Sequence, residues 1–369
     1  MLNAWTLMVI SIILIVIFPV NMFFATRLHK IKIIRDINNK FLSWIISFIP
    51  LYITLLLLLW NSTNAYIIVL HFFFMLLIGE LIYKIACIIK KKKELKNGHE
   101  ITMLTCFIFT VLYLTWGYYL AHHVVLTHYD ITTNKDLGID NFRVVQVTDS
   151  HVGATMDGED FYYYMIEINE INPDIVVVTG DFVDDDTSLK DMIRSCEGLG
   201  ALKTKYGVYF IYGNHDKGYF DYREYGDKEL REELIKNNVI ILEDEGVDLV
   251  GNIYLLGRQD AQVRTRKSVE ELMNDVDISK YVIVLDHEPN DYDNEEKANM
   301  DLVISGHTHG GQVFPLQIID KMFGANDQIY GFERRGNTSF IVSSGIGDWA
   351  VKFKTFTKAE YVVIDIRNK

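Results

Sequence analysis

The chain has 369 residues, of which 49% are hydrophobic, and its formal net charge is −13. The first 121 residues carry eleven basic and four acidic side chains, a net charge of +7, which leaves −20 on the remaining 248 residues. Such an acidic region would repel nucleic acid, which excludes binding of nucleic acid by nonspecific charge. Cys196 is the only thiol of this region, which excludes an internal disulfide and a zinc site made of thiolates.

Four apolar segments near the N-terminus have about the length that a bilayer requires, roughly 20 residues each. They cover residues 4–26, 41–60, 65–89 and 101–121. The first segment has neither a basic start nor a small-residue cleavage site, so we interpret it as a retained helix and not as a removed signal peptide. The sequence therefore predicts a multi-pass cell-membrane region, residues 1–121, whose partner is the lipid bilayer.

Basic residues in the short loops between these segments predict the orientation. Residues 27–40 and residues 90–100 each hold five lysines or arginines, whereas residues 61–64 hold none. Because lysine and arginine stay on the cytoplasmic side, both basic loops are predicted to face the cytoplasm and the C-terminal domain to be extracytoplasmic. Within the third segment, Glu80 and Lys84 are four residues apart and are predicted to pair with each other near the membrane interface.

From about residue 122 the pattern changes to short apolar runs that alternate with polar, helix-capable stretches. Ten runs predict strands: 124–132, 142–148, 175–179, 208–212, 239–242, 253–256, 282–285, 302–305, 340–343 and 361–366. Four stretches predict helices: 158–171, 187–202, 227–237 and 267–275. This alternation is typical of an α/β domain with buried central strands, which we assign to residues 122–369.

Polar residues follow five of these predicted strands. They are, in chain order, Asp149 and His151, Asp181, Asn214, His287, and His307 and His309. In α/β domains ligands gather at the carboxyl ends of the strands, so these side chains are expected at one edge. The pairs at i and i+2 would project to the same side if the chain stays extended there. Any one of these motifs alone could be a turn, a helix cap or a coincidence. Five such motifs in this order, each after a predicted strand, favour a shared site.

The residue types in this set suit divalent metal ions. Carboxylate oxygen, imidazole nitrogen and one amide oxygen are all present, and one carboxylate is available to bridge two ions. A ligand set of oxygen and nitrogen suits manganese, iron or zinc. We therefore expect two divalent metal ions as cofactors.

The sequence resembles the calcineurin-like metallophosphoesterase superfamily over about residues 141–345, at Asp149-Ser150-His151, Gly180-Asp181, Gly213-Asn214-His215-Asp216, His287 and Gly306-His307-Thr308-His309. Two segments, 285–289 and 306–312, are similar to the bacterial membrane-anchored phosphodiesterase branch, which is related to enzymes that act on nucleotide-linked or lipid-linked pyrophosphates. The resemblance implies a four-layer α/β/β/α sandwich with a dinuclear site at the strand ends.

The resemblance also implies a role for each residue. One ion would be held by Asp149, His151, Asp181 and His309, and the other by Asp181, Asn214, His287 and His307. His215 would coordinate no metal and would instead contact the phosphoryl oxygens and assist the leaving group. Asp216 and Asp184 are candidates to orient His215, and either could instead be a turn residue. Hydroxide formed from a water on the two ions would attack phosphorus in line.

The sequence departs from that branch after the turn at residues 344–347. Relatives often show an arginine and then Pro-Glu there, whereas this chain has Lys352 and Ala359-Glu360. A lysine is a point charge and not a planar fork, so a bidentate grip on phosphate is not expected from this segment. Residues 310–312 are interpreted either as part of the pocket floor or as a plain turn.

These features predict a membrane-anchored phosphoesterase that hydrolyses phosphodiester or pyrophosphate bonds of a lipid-linked or cell-envelope substrate. One alternative is a noncatalytic membrane sensor or scaffold that binds a phosphorylated ligand, but it would have a degraded ligand set, and no expected ligand is missing. Another is a transporter, which four helices with one ion pair do not favour. Loops at 217–227 and 313–335 are expected to cap the pocket and to select monoester, diester or pyrophosphate. The sequence leaves the metal and the oligomeric state open.

Overall fold

The computed structural model describes residues 13–219 and 223–369. The chain divides into two compact units, Met1–Trp116 and Gly117–Lys369. The described part of the first unit is helical, and all described strands belong to the second.

The first unit consists of apolar helices. After a π-helical turn at Ile13–Ile17 they are α1 Phe18–Leu28, α2 Lys32–Arg35, α3 Lys40–Ser47, α4 Ile49–Trp60, α5 Ser62–Ile89 and α6 Gly98–His122, whose last six residues belong to the second unit. The exposed side chains of α5 are mostly apolar, and the residues that it buries are apolar except for Asn64, His71 and Glu80. Helices that are apolar on all sides are typical of membrane spans.

Three of the predicted spans are confirmed by length and composition. Lys40–Trp60, Ser62–Ile89 and Gly98–His122 are long and apolar enough to cross a membrane, and they match the predicted segments 41–60, 65–89 and 101–121. The predicted segment 4–26 corresponds in part to Ile15–Leu28, an apolar helix that is shorter than a span. Residues 4–12 lie outside the described residues, so a fourth span is not confirmed.

Glu80 is buried among these helices, and its carboxylate lies near basic side chains of two other helices. Its Oε1 atom lies 3.7 Å from Nε of Arg27 on α1 and 3.7 Å from Nδ1 of His99 on α6. Lys84, one turn further along α5, is exposed. The predicted Glu80–Lys84 pair is therefore wrong, because the two side chains have different surroundings although they are four residues apart.

The second unit is an α/β domain. Its strands are β1 Val125–Thr133, β2 Asn141–Val147, β3 Ile175–Thr179, β4 Val208–Ile211, β5 Val239–Ile241, β6 Glu245–Asp248, β7 Ile253–Gly257, β8 Tyr281–Leu285, β9 Leu302–Ser305, β10 Gly331–Arg335, β11 Thr338–Val342 and β12 Glu360–Asn368. Its further helices are α7 Gly158–Ile168, α8 Leu189–Gly200, α9 Asp227–Lys236, α10 Val269–Met273, α11 Tyr292–Lys297 and α12 Leu316–Phe323. Short 3-10 turns cover Asn169–Ile171 and His309–Gly311.

The strands form two six-stranded sheets. Their orders are β1-β12-β2-β3-β4-β5 and β10-β11-β9-β8-β7-β6. β2, β3 and β4 are parallel neighbours in the first sheet, as are β7, β8 and β9 in the second. Every residue of β3, β4, β8 and β9 is buried, as expected for parallel strands that are covered on both faces.

Three apolar clusters separate the layers of this domain. One lies between the sheets and includes Val177 of β3 and Ile283 of β8. A second joins the outer face of the first sheet to α7, α8 and α9. A third joins the outer face of the second sheet to α10 and α11. The layers therefore follow the order helix, sheet, sheet, helix.

Four elements are absent from the sequence prediction. β6 and β10 are edge strands that pair antiparallel with one neighbour, and they lack the apolar run that predicts a buried strand. α11 is a six-residue polar helix. α12 lies inside the segment 313–335, which was predicted to be a loop. β6, β10 and α11 have no periodic apolar run that could predict them, whereas α12 has a helical periodicity but exposes its apolar side.

Candidate metal centre

The carboxyl ends of five strands bring the predicted ligand residues together. β2 leads to Asp149 and His151, β3 to Asp181, β4 to Asn214, β8 to His287, and β9 to His307 and His309. Close packing between these turns requires glycine. A Cβ atom at Gly180 would lie 2.6 Å from Nδ1 of His287, and one at Gly213 would lie 2.3 Å from Oδ1 of Asp181. Both sheets therefore contribute to one site.

Five of the predicted metal ligands have a backbone conformation that residues other than glycine rarely adopt. The angle φ is +50° at Asp149, +36° at His151, +51° at Asp181, +69° at His307 and +49° at His309. The expectation of an extended chain at the i and i+2 pairs is therefore wrong, because the chain turns sharply at each ligand. Such conformations cost of order 1–3 kcal/mol each and cluster at functional sites.

The ligand atoms form two groups. Asp149, His151 and His309 each place a ligand atom within 4.8 Å of the other two, and so do Asp181, His287 and His307. In the first group, Nε2 of His151 lies 3.2 Å from Nε2 of His309. Beside the second group, Oδ1 of Asn214 lies 3.2 Å from Nε2 of His287 and 3.0 Å from Nδ1 of His307.

Asp181 lies between the two groups. Its Oδ2 atom is 3.5 Å from Nε2 of His151 and 3.3 Å from Nε2 of His287. Its other oxygen, Oδ1, accepts a hydrogen bond from the backbone N–H of His215 at 2.9 Å. One carboxylate oxygen next to donor atoms of both groups has the position that a ligand shared by two ions requires.

Three of the imidazole rings turn their second nitrogen towards an oxygen atom. Nδ1 of His287 lies 2.8 Å from the carbonyl oxygen of residue 179, Nδ1 of His151 lies 3.3 Å from Asp184, and Nδ1 of His309 lies 3.3 Å from Asp348. Oxygen atoms at Nδ1 favour the tautomer whose Nε2 carries a lone pair. In all three rings Nε2 is therefore the atom available to a metal ion.

The charge of the site fits bound cations. Burial lowers the pKa of His287, but the charge and hydrogen bond of Asp181 raise it more, so that this pKa lies well above its ordinary value. The pKa of His151 is raised in the same way, against burial, by Asp184 and Asp181. Burial holds the pKa of His309 well below its ordinary value. The carboxylates thus favour positive charge next to a buried set of nitrogen and oxygen donors. Divalent metal ions can supply that charge.

His215 lies beside the ligands and contacts one of its two predicted partners. Its Nδ1 atom is 3.2 Å from Oδ1 of Asp184, whose other oxygen faces His151. Burial raises the pKa of Asp184, but hydrogen bonds from His151 and His215 lower it more, to well below its ordinary value. Asp184 is therefore a carboxylate that joins a predicted metal ligand to the predicted proton donor.

Asp216, which was predicted either to orient His215 or to be a turn residue, binds the backbone of two turns. Its carboxylate accepts hydrogen bonds from four backbone N–H groups, those of Asp181, Phe182, Val183 and Gly213, at 2.7–3.1 Å. Burial and the charge of Asp181 raise its pKa to about 6. The expectation that Asp216 orients His215 is not met, because its side chain points back under the turns that follow β3 and β4.

Two further groups meet the same 4.8 Å criterion. One consists of His151, Asp184 and His215 and shares His151 with the first group, and the other is balanced by arginine. His128, Asp130 and Asp365 also place ligand atoms within 4.8 Å of one another. However, Nε of Arg143 donates to Asp365 at 2.8 Å, and Nη2 of Arg367 lies 2.9 Å from Asp130. These carboxylates already have cationic partners, so we assign no metal ion to this group.

Comparison with known proteins shows what the second unit is similar to. Residues 142–311 match the family model described as calcineurin-like phosphoesterase. This part of the chain is therefore similar to that family. A metallophosphoesterase of Campylobacter jejuni is 30% identical over 235 residues, which cover 62% of this chain and 60% of that protein. A "Transmembrane protein with metallophosphoesterase domain" from Danio rerio is 30% identical over 62% of this chain and 54% of its own length. The chain thus spans little more than half the length of these relatives.

A solved dimetal phosphatase from Danio rerio is also similar to this chain. It covers 61% of this chain and 92% of its own, with 11% sequence identity and a TM-score of 0.39. The likeness to calcineurin-like phosphoesterases therefore rests on the family model and the relatives, and not on this structure.

Two residues that support this site, Asp348 and Lys354, were not found from the sequence. Asp348 is fully buried, faces His309 and lies 3.0 Å from Nζ of Lys354, which is fully buried too. Nε2 of Gln312 donates to the same carboxylate at 3.1 Å. Burial raises the pKa of Asp348 to about 6. Asp348 follows β11 as the predicted ligands follow their strands, whereas Lys354 carries no signal, and the sequence analysis named Lys352 instead.

Two exposed aromatic rings flank His215 at the rim of this site. The ring centroid of Tyr219 lies 5.0 Å and that of Trp349 lies 5.5 Å from the imidazole. The Tyr219 hydroxyl accepts hydrogen bonds from Nδ2 of Asn214 at 2.8 Å and from Nε2 of Gln262 at 3.2 Å. Tyr219 belongs to the predicted capping segment 217–227, of which residues 220–222 lie outside the described residues.

Proposed function

We propose that this protein is a membrane-anchored phosphoesterase with two metal ions, organised as a membrane region of residues 1–121 and a catalytic domain of residues 122–369. The observation that carries the proposal is the position of Asp181, with one oxygen within 3.5 Å of imidazole nitrogens from both ligand groups. One ion is held by Asp149, His151, Asp181 and His309, and the other by Asp181, Asn214, His287 and His307. Manganese, iron or zinc suits these donors.

The two ions supply positive charge to the phosphoryl oxygens and a lowered pKa to a bound water. His215 acts as the proton donor. With Nδ1 held 3.2 Å from the Asp184 carboxylate, its ring is fixed in orientation and its Nε2 is free to carry a proton. A proton on this ring can be donated to the leaving oxygen or can stabilise charge on the phosphoryl group.

The bonds that we propose it hydrolyses are phosphodiester or pyrophosphate bonds in a lipid-linked or cell-envelope substrate. Support comes from the three apolar helices of bilayer length and from the similarity to the transmembrane protein with metallophosphoesterase domain from Danio rerio. We further propose that residues 4–26 form a fourth span and that the catalytic domain is extracytoplasmic, because basic residues collect in the loops 27–40 and 90–100.

Hydrolysis of a generic substrate tests the activity. Full-length protein in detergent, loaded with manganese and shown to hold two ions per chain, should cleave bis(p-nitrophenyl) phosphate. Asp181→Asn should lower the rate at least about 100-fold, because both ions lose a ligand. Asp130→Asn, in the group balanced by arginine, is the matched control and should leave the rate unchanged. The proposal is wrong if the metal-loaded protein cleaves neither monoesters nor diesters.

Chemical labelling tests the orientation. Tyr163→Cys on α7 and Lys93→Cys in the basic loop 90–100 both replace exposed side chains. In intact cells a membrane-impermeant maleimide should label position 163 at once and position 93 only after permeabilisation. The reverse order of labelling would show that the catalytic domain is cytoplasmic.

A further inference from the structure

Helix α12, Leu316–Phe323, is amphipathic but has its apolar side outward. At 3.6 residues per turn, Leu316, Ile318, Ile319, Met322 and Phe323 share one side of the helix, while Gln317, Asp320 and Lys321 share the other. All five apolar residues are exposed, and Met322 and Phe323 are 79% and 82% exposed. The buried residue of the helix is the polar Gln317. Water is a poor environment for such a surface.

Two neighbouring phenylalanines extend this surface. Phe314, just before α12, is 49% exposed, and Phe356 is 56% exposed. Their segments are joined, because the backbone N–H of Phe314 donates to Oγ1 of Thr355 at 2.9 Å. We call these residues the apolar rim: Phe314, Leu316, Ile318, Ile319, Met322, Phe323 and Phe356.

The polar side of α12 is packed on the loop that carries a proposed metal ligand. A Cβ atom at Gly311, two residues after His309, would lie 2.5 Å from Cβ of Gln317. The side chain of Gln312 in turn contacts Asp348, which faces His309. The apolar rim is therefore attached directly to the margin of the metal centre.

The segment that contains Phe356 is fastened to the last turns of α6, the helix whose range Gly98–His122 forms a candidate span. The backbone N–H of Lys354 donates to the carbonyl oxygen of Gly117 at 2.9 Å, and that of Ala359 donates to the carbonyl oxygen of Leu120 at 2.8 Å. A Cβ atom at Gly117 would lie 2.9 Å from Cγ2 of Thr355, so the contact is close. The segment that contains Phe356 is thus bound to residues 117–120, the part of α6 that belongs to the second unit.

We propose that the apolar rim inserts into the surface of the bilayer that α6 crosses and holds the metal centre at the level of the lipid headgroups. This inference rests on the membrane anchoring in the proposed function. Lipid suits the rim because an outward apolar helix side with polar residues behind it is the form of an interfacial helix. The substrate class that reaches such a centre most directly is a phosphoester with a lipid tail.

Spin labels on the full-length protein in phosphatidylcholine vesicles test the insertion. Met322→Cys and Phe323→Cys place the label on the rim, Lys321→Cys places it on the polar side of α12, and Tyr163→Cys places it on exposed α7. The native Cys87, Cys106 and Cys196 are buried, and the unsubstituted protein serves as the blank. Relaxation by dissolved oxygen reports lipid, and relaxation by a water-soluble nickel chelate reports water.

We expect several-fold weaker relaxation by the nickel chelate, and stronger relaxation by oxygen, at positions 322 and 323 than at 321 and 163. Equal exposure to the nickel chelate at all four positions would show that the rim faces water and would overturn the proposal. Shielding from both reagents would show a protein contact, such as a second copy, and would overturn it too. If the protein does not float with the vesicles at all, the membrane anchoring itself fails, which distinguishes the two results.

Discussion

Single carboxylates connect the parts of this site. Asp181 has one oxygen near both ligand groups and the other on the backbone N–H of His215. Asp184 has one oxygen near His151 and the other near His215. We therefore expect a substitution at either aspartate to change metal binding and proton transfer together. A substitution at His215 should change proton transfer alone.

Replacement of His215 should abolish turnover without loss of metal. We expect His215→Gln to lower kcat by about 10²–10⁴-fold, the usual contribution of a positioned acid or base. Elemental analysis should still find two ions per chain, because the His215 ring lies outside both ligand groups. His128→Gln, on an exposed histidine, is the control. Loss of one ion in His215→Gln would contradict the assignment of His215 as a noncoordinating residue.

Removal of the Tyr219 hydroxyl should weaken metal binding. This hydroxyl accepts a hydrogen bond from Nδ2 of Asn214 at 2.8 Å and so keeps Oδ1 of Asn214 towards His287 and His307. Partners of this kind contribute about 10–100-fold to metal affinity, and we expect a loss near the lower end for Tyr219→Phe. Competition with a chelating dye measures the affinity, with Tyr163→Phe as control. Unchanged affinity for both ions would mean that Asn214 is oriented without this hydroxyl.

At the scale of elements, Asp365 joins three neighbouring strands. Lying on β12, it receives two hydrogen bonds from Arg143 of β2, at 2.8 and 2.9 Å, and its Oδ2 atom is 3.0 Å from Nε2 of His128 on β1. The hydrogen bond from Arg143 is the main cause that lowers the pKa of Asp365, to about 2. The ionised carboxylate is thus more stable in the folded than in the unfolded chain.

The stability contributed by Asp365 should depend on pH in a defined window. Because its folded pKa lies below the ordinary value of 3.8, the contribution is complete above about pH 4 and is lost as the pH falls to about 2. We expect Asp365→Asn to lower the free energy of unfolding at pH 7 by about 1–3 kcal/mol and to flatten its pH dependence in that window. Thermal melts from pH 2 to pH 7 measure both effects. An unchanged slope, as expected for the exposed control Asp140→Asn, would contradict this account.

The helix α12 shows why some elements escape a sequence pattern. Its eight residues have a clear 3.6-residue periodicity, but they lie in the segment 313–335, which was interpreted as a capping loop. Periodicity predicts that one side is apolar and not which side is buried. In α12 the apolar side is exposed and Gln317 is buried, so even a correct helix prediction would have assigned the wrong face to the protein.

At the scale of the molecule, charge is divided between the two regions. The first 121 residues carry +7 and the remaining 248 carry −20. An acidic catalytic domain repels phosphate at long range, so attraction to a phosphoester must come from cations bound locally. Metal ions at the buried ligand set would supply that attraction and would also stabilise the folded domain.

Metal removal should therefore lower the thermal stability of the whole protein. A ligand at 100 times its Kd stabilises the folded state by about 2.7 kcal/mol, and two ions add their effects. We expect a chelator to lower Tm by several degrees and excess manganese to restore it, as measured by calorimetry of the detergent-solubilised protein. Asp181→Asn should show a much smaller shift. If manganese leaves the Tm of the unsubstituted protein unchanged, the ligand groups do not bind it in the folded state.

Local hydrophobic runs and the residues directly after them were enough to predict the resemblance to a known family, the apolar helices and the strands that lead to the ligand motifs. The neighbours that depend on contacts between distant segments were not predictable in this way: Asp184 rather than Asp216 lies beside His215, Lys354 lies beside Asp348, and Arg27 rather than Lys84 lies beside Glu80. Tertiary structure also decided that the apolar side of α12 faces outward. Periodicity records which residues share a side, but only packing determines what that side meets.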